Sequence, residues 1–278
     1  MAEKIEQVIG VIGAGSMGSA TARGLVASGA AAPECVLVAN PSAGKLAPLA
    51  ELGIKTFTSN EELLAQDPDA VVLAVKPQVL PGVLAEHTDG LAGRLVISIA
   101  AGVSVASLEA SLASSRVVRA MPNLPVQVLS GATAVCPGSR ATKEDLDLSL
   151  AIFSALGSAV VLREDQLDAE GAVVGCGPAY VALLVDDLTR AGVERGLPAA
   201  ACRELVLSTM RGVAEQLLAS GEHPRAYMEK VTSPGGTTAA GLRAMESGMF
   251  DVACAGVEAA LRRTRELSEA AGGKTTDD

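Results

Sequence analysis

Short apolar runs alternate with amphipathic segments from residue 8 to residue 162. Eight runs have the length of a β-strand, at residues 8–12, 35–39, 54–57, 70–75, 95–99, 117–120, 132–136 and 159–162. Helix-compatible segments lie between the early runs, at residues 19–28, 43–52 and 61–65. Near-continuous apolar strands that alternate with helices are typical of a parallel sheet covered on both faces. The pattern predicts an α/β fold with a mostly parallel sheet.

The hydrophobic pattern changes near Arg163. Beyond that residue strand-like runs disappear and apolar positions recur at helical spacing, as in Val206, Met210, Val213 and Leu217. We therefore predict a sheet domain at residues 1–163 and an all-helical domain at residues 164–278. The alanine-rich helices of the second domain suit close packing against a second copy of the chain. The final GGKTTDD is typical of a frayed tail.

Composition and charge exclude several classes of partner. The 278 residues are 49% hydrophobic, which is enough for a substantial core, and the net charge of −10 disfavours nucleic acid and anionic membranes. The N-terminal MAEKIEQ does not resemble a signal peptide. The apolar runs are far shorter than the ~20 residues that cross a bilayer. We expect a cytoplasmic protein with neither nucleic-acid nor membrane partners.

Cysteine and histidine usage argues against disulfides and metals. The five cysteines are odd in number, widely spaced and without CxxC pairs, which indicates reduced thiols. Only His87 and His223 are present, and neither belongs to an HxxE or HExxH motif. We therefore expect no metal site.

A glycine-rich turn follows the first apolar run. Gly13, Gly15 and Gly18 form GxGxxG between a predicted strand and a predicted helix. In that context the first glycine allows the tight turn, the second lets the backbone approach a pyrophosphate, and the third permits close helix packing. The turn therefore predicts dinucleotide binding, and the alternative is a purely structural strand–turn–helix.

The end of the second run bears on which dinucleotide binds. NAD sites place an acid about 20 residues after the glycines, to bind the ribose 2′-hydroxyl. This chain has Asn40 there, with Ser42 and Lys45 nearby and no acid before Glu51. These neutral and basic groups favour NADP(H), and NAD(H) remains the alternative.

Two further strand ends should line the same crevice, because ligands of open α/β sheets bind beyond the carboxyl ends of strands. Lys76 follows the run at 70–75, where it could face a phosphate or a carboxylate. Asn123 lies in the rigid Met-Pro-Asn-Leu-Pro loop and could offer an amide to the nicotinamide.

The segment Val231–Leu242 reads VTSPGGTTAAGL. Its proline and paired glycines predict a tight loop that presents backbone N–H groups at the start of a helix, where a small anion binds well. Thr237 and Thr238 add hydroxyl groups to this loop. The alternative interpretation is a helix N-cap without a ligand.

These motifs occur together in a known family. The chain resembles the pyrroline-5-carboxylate reductases along its length, through GVIGAGSMG, LAVKPQ, SIAAGV, RAMPNLP, GCGPAYV and VTSPGGTTAAGL, in that order. The resemblance implies a Rossmann-type domain followed by an all-helical dimerisation domain, and hydride transfer from NADPH to L-1-pyrroline-5-carboxylate. The product would be L-proline, in the last step of proline biosynthesis.

The resemblance also assigns site residues. It implies that Thr238 is catalytic and bonds the ring nitrogen. Residues implied to bind the cofactor are Gly13, Ala14, Gly15, Ser16, Met17, Gly18, Asn40, Ser42, Asn60, Ala74, Val75, Lys76, Pro77, Ala100, Ala101 and Gly102. Residues implied to bind the substrate are Val231, Ser233, Pro234, Gly235, Gly236, Thr237 and Thr238.

Three positions depart from the family pattern, and two other functions compete. Val174 and Cys176 stand where small hydroxyl residues are usual, and Lys230 stands where an amide is common. One rival is an NADP-dependent imine or β-hydroxyacid reductase. The β-hydroxyacid enzymes place a catalytic lysine in a helix of the second domain, whereas this chain has no lysine between Gly175 and Lys230. The other rival, a non-catalytic NADP-binding protein, would have no use for the SPGGTT loop.

Overall fold

A single eight-stranded sheet dominates the N-terminal part of the chain. The computed structural model describes residues 4–270, with side chains through residue 266. The sheet order is β3-β2-β1-β4-β5-β6-β7-β8. The strands are β1 Ile9–Ile12, β2 Val36–Ala39, β3 Lys55–Phe57, β4 Ala70–Leu73, β5 Leu95–Ser98, β6 Arg116–Pro122, β7 Gly131–Pro137 and β8 Gly157–Val161. Each of the eight apolar runs is therefore confirmed as a strand.

The sheet is parallel except at one pair. Strands β1 to β6 pair in parallel, β7 runs antiparallel to β6, and β8 is again parallel to β7. Only a short 3-10 turn, Leu124–Val128, lies between β6 and β7. A parallel connection needs a dozen or more residues, so this short link makes β7 return antiparallel.

Helices cover both faces of the sheet. In β1, Val11 belongs to one hydrophobic cluster and Ile12 to another, because successive side chains point to opposite faces. Both are buried, which explains why the strands are apolar throughout rather than alternating. The helices of this part are α1 Ser16–Ala27, α2 Ala43–Ala50, α3 Asn60–Leu64, α4 Leu80–Leu91, α5 Val105–Ser111, α6 Lys143–Ser154 and α7 Glu164–Glu170.

Only helices and turns follow Val161 in the part of the chain that the structure describes. A π-helical turn, Gly171–Gly175, joins α7 to the next helix. The remaining helices are α8 Gly177–Glu194, α9 Ala199–Ser220, α10 Pro224–Lys230 and α11 Thr237–Ala270. The described residues form two compact units, one of residues 4–176 with 260–270, the other of Gly177–Ala259. The GGKTTDD tail lies outside the described residues, and the boundary after residue 163 stays a prediction.

The helices of the second unit expose much apolar surface. Leu183, Leu205 and Phe250 are 59%, 62% and 76% exposed. By length and composition alone, the continuous helix Glu164–Glu194 could cross a membrane, with a mean hydropathy of 1.4 in a window that is 11% buried. Apolar surface of this extent on a folded chain marks an interaction face.

Candidate active site

The turn after β1 depends on glycine at two positions. Gly13 has φ +106°, which favours glycine, and a Cβ there would lie 2.7 Å from the carbonyl oxygen of Ala74. A Cβ on Gly18 would collide with the carbonyl oxygen of Gly13, so α1 packs directly on the turn. By contrast, nothing lies within 4 Å of a Cβ built on Gly15. The turn therefore leaves open space at the position where a pyrophosphate would approach the backbone.

The strand ends around this turn are hydrogen-bonded in series. The Gly13 N–H donates to the carbonyl of Ala39 (2.8 Å), and the Ala74 N–H donates to the carbonyl of Ile12 (2.8 Å). The Ile99 N–H donates to the carbonyl of Leu73 (3.2 Å). The structure thus brings the predicted cofactor segments 13–18, 74–77 and 100–102 to adjacent ends of β1, β4 and β5.

Asn40 ties the end of β2 to the glycine-rich turn. Its side chain is 9% exposed, and its Oδ1 accepts the N–H of Ala14 at 3.1 Å. Its Nδ2 donates to the carbonyl of Ser42 at 3.3 Å. Ser42 and Lys45, which follow β2 in the chain, are both exposed. Asn40 thus shapes the turn, while Ser42 and Lys45 keep polar groups available to a ligand.

Asn60 stands at the start of α3, three residues after β3 ends. The Asn40 N–H donates to the carbonyl of Phe57 at 3.0 Å, which holds the ends of β2 and β3 together. The Asn60 Nδ2 lies 3.2 Å from Nε2 of His87, on α4. This contact of His87 is not recognisable from the sequence, because its partner lies 27 residues away.

Two contacts near β6 give side chains roles that sequence reasoning missed. The Nε2 of Gln127 donates to the Ser16 hydroxyl at 2.9 Å, so the turn after β6 braces the start of α1. Both ends of the Asn123 side-chain amide form hydrogen bonds within the chain. Its Oδ1 accepts the N–H of Ala132 at 2.9 Å, and its Nδ2 donates to the carbonyl of Val174 at 3.2 Å. Asn123 therefore anchors the π-helical turn, a different role from the nicotinamide contact expected for it.

A buried arginine faces three carboxylates on the same sheet face. Arg119, on β6, is 4% exposed, and its guanidinium lies 3.4 Å from a carboxylate oxygen of Glu164 and 3.8 Å from one of Asp168. Burial raises the pKa of Glu170 to about 7, although the charge of Arg119 acts in the opposite direction. The Oε2 of Glu170 is buried without a hydrogen-bond partner. Glu170 thus titrates near neutral pH, at the residue before the π-helical turn.

The VTSPGGTT segment forms a tight loop between α10 and α11, as predicted. Gly235 has φ +72°, and the Gly236 N–H donates to the carbonyl of Ser233 at 2.9 Å. A Cβ on Gly236 would collide with the hydroxyl of Ser233. Thr237 is the first residue of α11, so the N–H groups of Thr237 and Thr238 have no partner within the helix. Both threonines are exposed, and the loop can receive a small anion.

Lys230, which departs from the family pattern, ends α10 immediately before this loop. Its Nζ lies 2.7 Å from Oε2 of Glu222, whose side chain is 20% exposed. The ion pair joins the last residue of α10 to Glu222, which lies two residues before the helix begins. Lys230 therefore stabilises the approach to the loop from the α10 side.

The cysteines have the state expected of reduced thiols. All five are free, and Cys176 is exposed whereas Cys136 and Cys202 are buried. Burial raises the pKa of the Cys136 thiol, with Glu164 contributing in the same direction. Within residues 4–266 no group of three His, Cys, Asp or Glu side chains is placed to hold a metal ion.

Comparison with known proteins decides the family. A family model described as pyrroline-5-carboxylate reductase dimerisation matches residues 164–267, and one described as NADP oxidoreductase, coenzyme F420-dependent, matches residues 8–102. The pyrroline-5-carboxylate reductase of Synechocystis sp. is 39% identical over 262 residues, which cover 94% of this chain and 98% of that protein. The chain belongs to the pyrroline-5-carboxylate reductase family.

Solved structures of family members share the whole fold. The pyrroline-5-carboxylate reductase of Coxiella burnetii superposes with a TM-score of 0.90 at 34% identity, covering 98% of this chain and 100% of that one. The Plasmodium falciparum enzyme, solved with NADP bound, gives a TM-score of 0.82 at 31% identity, with 95% and 99% of the two chains covered. The Rossmann-type sheet and the helical C-terminal part are therefore features of this family.

Proposed function

We propose that the protein is a pyrroline-5-carboxylate reductase, which reduces the C=N bond of L-1-pyrroline-5-carboxylate to L-proline with NADPH. The observation that carries the proposal is the full-length match to this family by a chain that also has both binding elements. Those elements are the open glycine turn at Gly15 and the exposed loop before Thr237. A protein that only bound NADP would need the first element and not the second.

We assign the cofactor to the strand-end loops of the sheet. The open space at Gly15 supports a pyrophosphate at the start of α1, where backbone N–H groups and the helix dipole favour an anion. The exposed Ser42 and Lys45 support a 2′-phosphate, since a hydroxyl and an ammonium group both donate to phosphate. The other cofactor-binding residues are those that the family resemblance implies, around Asn60, Ala74–Pro77 and Ala100–Gly102.

We assign the substrate carboxylate to the loop Val231–Thr238. The N–H groups of Thr237 and Thr238 can donate to the two carboxylate oxygens, and the space beside Gly235 is open. The hydroxyl of Thr238 is then available to the ring nitrogen. Such a loop holds an anion by its backbone, which is important in a chain whose net charge of −10 repels anions.

The residues of the chain would act mainly by orientation. When bound, NADPH would supply the hydride that adds to the carbon of the C=N bond. The loop 231–238 contains no His, Asp or Glu that could act as a general acid, which fits a substrate whose nitrogen already carries its proton on arrival. Thr238 would orient the imine through one hydrogen bond to the ring nitrogen. Correct orientation of the reacting groups can lower the barrier to hydride transfer by several kcal/mol.

Family membership also supports a proposal about assembly. The dimerisation model covers residues 164–267, the region that exposes Leu183, Leu205 and Phe250. We propose a homodimer, or a multiple of one, in which these side chains are covered by the partner. The apolar helix Glu164–Glu194 lies in that region, so a partner subunit accounts for its composition without a membrane. We further propose a cytoplasmic protein that binds no nucleic acid.

One assay separates this function from its rivals. The protein is mixed with NADPH and synthetic L-1-pyrroline-5-carboxylate, and the loss of NADPH absorbance is followed together with proline formation. Turnover of this substrate in preference to larger cyclic imines supports the proposal. Oxidation of a β-hydroxy acid with NADP⁺ would support the hydroxyacid rival instead, and NADPH binding without any turnover would support the non-catalytic one.

A further inference from the structure

The carboxylate of Glu164 joins α7 to the start of α5. Its Oε1 accepts the backbone N–H of Val105 at 2.5 Å, although the two residues are 59 positions apart. Val105 is the first residue of α5, so its N–H has no partner within that helix. The same Oε1 lies 3.4 Å from the guanidinium of the buried Arg119. The proposed chemistry leaves Glu164 without a role, yet its carboxylate fixes one point of the backbone beside the sheet.

The side chain of Val105 is held by the same helix. Val105 is 7% exposed and belongs to a buried cluster with Ala134, Cys136 and Leu167. Leu167 lies on α7, three residues after Glu164. The helix α7 therefore contacts both the side chain and the backbone N–H of Val105, which gives this residue a fixed position.

The loop between β5 and α5 is anchored at both ends. At the β5 end, Ala100 is 4% exposed and its N–H donates to the hydroxyl of Ser98 at 3.4 Å. At the α5 end, the anchor is Val105. Between these anchors Ala101 and Gly102 are exposed, and Gly102 has φ +74°. These two exposed residues are among those to which we assign the cofactor, so their position depends on where Val105 is held.

The order of the strands indicates which half of the cofactor this loop would meet. In the sheet, β2 lies next to β1 on one side, and β5 lies two strands from β1 on the other side. The adenosine ribose is assigned to the end of β2. A dinucleotide that lies across the strand ends extends past β1 with its other half. The loop after β5 is therefore on the side of the nicotinamide, away from the 2′-phosphate.

We propose that Glu164 is a positioning residue for the cofactor, which holds the N–H of Val105 so that Ala101 and Gly102 meet the nicotinamide half of NADPH. A hydrogen bond from a backbone N–H to a carboxylate is among the stronger ones in proteins, so its loss frees the end of the loop. Glu164 acts through Val105 and needs no contact with the cofactor. This inference rests on the proposed placement of the cofactor.

Two substitutions separate the contact with Val105 from the contact with Arg119. Glu164→Gln keeps an oxygen acceptor at the same reach but removes the charge that faces Arg119. Glu164→Asp keeps the charge, but its side chain is one methylene group shorter and falls short of the Val105 N–H. Asp165→Asn is the matched control, because this neighbouring carboxylate is 67% exposed and pairs with Arg163.

Dissociation constants of NADPH and NADH are measured by fluorescence titration, and the Tm of each variant by calorimetry. We expect Glu164→Asp to weaken the binding of both cofactors by roughly fivefold to tenfold. The ratio of the two affinities should stay the same, because the loop lies away from the 2′-phosphate. Glu164→Gln should bind both cofactors as the unaltered protein does but have a lower Tm, because the buried Arg119 loses a charge that faces it. Asp165→Asn should change neither quantity.

A residue that only stabilised the fold would weaken binding in the same order as it lowers the Tm. If Glu164→Gln weakened binding as much as Glu164→Asp, or if neither variant weakened it, the Val105 contact would not position the loop and the proposal would be overturned. A changed NADPH/NADH ratio in Glu164→Asp would also contradict it. The titrations need no substrate. A protein that bound NADPH without reducing pyrroline-5-carboxylate would refute the proposed function alone, so the two failures are distinguishable.

Discussion

Thr238 is the residue at which the proposed chemistry depends on a single hydroxyl group. Thr238→Ala removes that group and little volume from an exposed helix start, so the fold should be retained. We expect kcat/KM for pyrroline-5-carboxylate to fall by roughly tenfold to a hundredfold, the usual effect of losing a hydrogen bond to a charged group. The affinity for NADPH should stay the same. Thr238→Ser, which restores the hydroxyl, is the control, and equal loss in both variants would show that only the methyl group matters.

Asn40 is the residue at which cofactor choice can be shifted. Its Oδ1 already accepts the N–H of Ala14, so the carboxylate of Asn40→Asp can keep this bond while losing the Nδ2 bond to Ser42. The added negative charge repels a 2′-phosphate, and we expect kcat/KM with NADPH relative to NADH to fall by about tenfold. Steady-state kinetics with both cofactors measures this ratio. An unchanged ratio would place the adenosine end away from β2.

Sequence and structure agree best where a residue acts through its own backbone. The sequence predicts the turns at Gly13 and Gly235, as well as the strand ends, because the residues that form a turn are neighbours in the chain. The sequence does not predict the hydrogen-bond partners of the Asn40, His87 and Ser16 side chains. These hydrogen bonds join residues 26, 27 and 111 positions apart, and such pairs exist only after the sheet has formed. The sequence therefore predicted loops that the fold brings to adjacent strand ends, and left open which side chains hold those loops in place.

At the scale of elements, the apolar pattern located the strands and predicted a mostly parallel sheet, but it did not predict the one antiparallel pair, β6 with β7. The antiparallel return of β7 follows from the length of the link after β6, a property of the connection rather than of either strand. In the helical part, the SPGGTT loop was assigned correctly as a helix start because proline and glycine restrict backbone angles wherever they occur. Element boundaries were thus more accessible to sequence reasoning than element orientation.

The turn between β1 and α1 gives a paired test of two glycines. A Cβ on Gly18 collides with the backbone of Gly13, whereas a Cβ on Gly15 meets nothing within 4 Å. We expect Gly18→Ala to lower the Tm by several degrees, since α1 must move off the turn. Gly15→Ala should keep the Tm but weaken NADPH binding, because the methyl group occupies the proposed pyrophosphate position. Calorimetry and fluorescence titration separate the two effects, and the reverse result would contradict the proposed cofactor position.

The helix α7 should make stability depend on pH. Burial raises the pKa of Glu170 to about 7 from 4.5, so the folded protein holds this proton more tightly than the unfolded chain. The resulting stabilisation is complete below pH 4.5 and is lost as the pH rises through 7. Glu170→Gln cannot ionise. We expect this variant to be more stable than the unaltered protein at pH 8, by on the order of 2 kcal/mol, and little different at pH 4.5.

Calorimetry at both pH values checks this prediction for Glu170. The same substitution at the exposed Glu62 controls for removal of a carboxylate charge. If Glu170→Gln gave the same difference in Tm at pH 4.5 and pH 8, ionisation of Glu170 would not be the cause. A positive result would also identify the residues next to the π-helical turn as the part of the sheet unit whose stability changes near neutral pH.

At the scale of the whole molecule, the contrast between the two units indicates assembly. The sheet unit buries large side chains such as Phe153 and Leu25 completely, whereas the helical unit leaves Leu183 and Phe250 more than half exposed. A chain that builds one dense core and leaves long apolar helices in water would be prone to aggregate. The region that matches the dimerisation model contains those helices. We therefore expect a second subunit to cover their exposed apolar side chains.

Light scattering should therefore report a dimer or a multiple of one for the unaltered protein. Phe250→Glu places a charge where a partner is expected to cover a side chain that is 76% exposed in the single chain. We expect this variant to dissociate or to form smaller assemblies, because burying an unpaired charge costs several kcal/mol.

Leu52→Glu, at a 42% exposed position outside residues 164–267, is the matched control and should leave the assembly intact. If Phe250→Glu assembled as the unaltered protein does, this part of α11 would lie outside the interface. A stable monomer of the unaltered protein would overturn the proposed assembly.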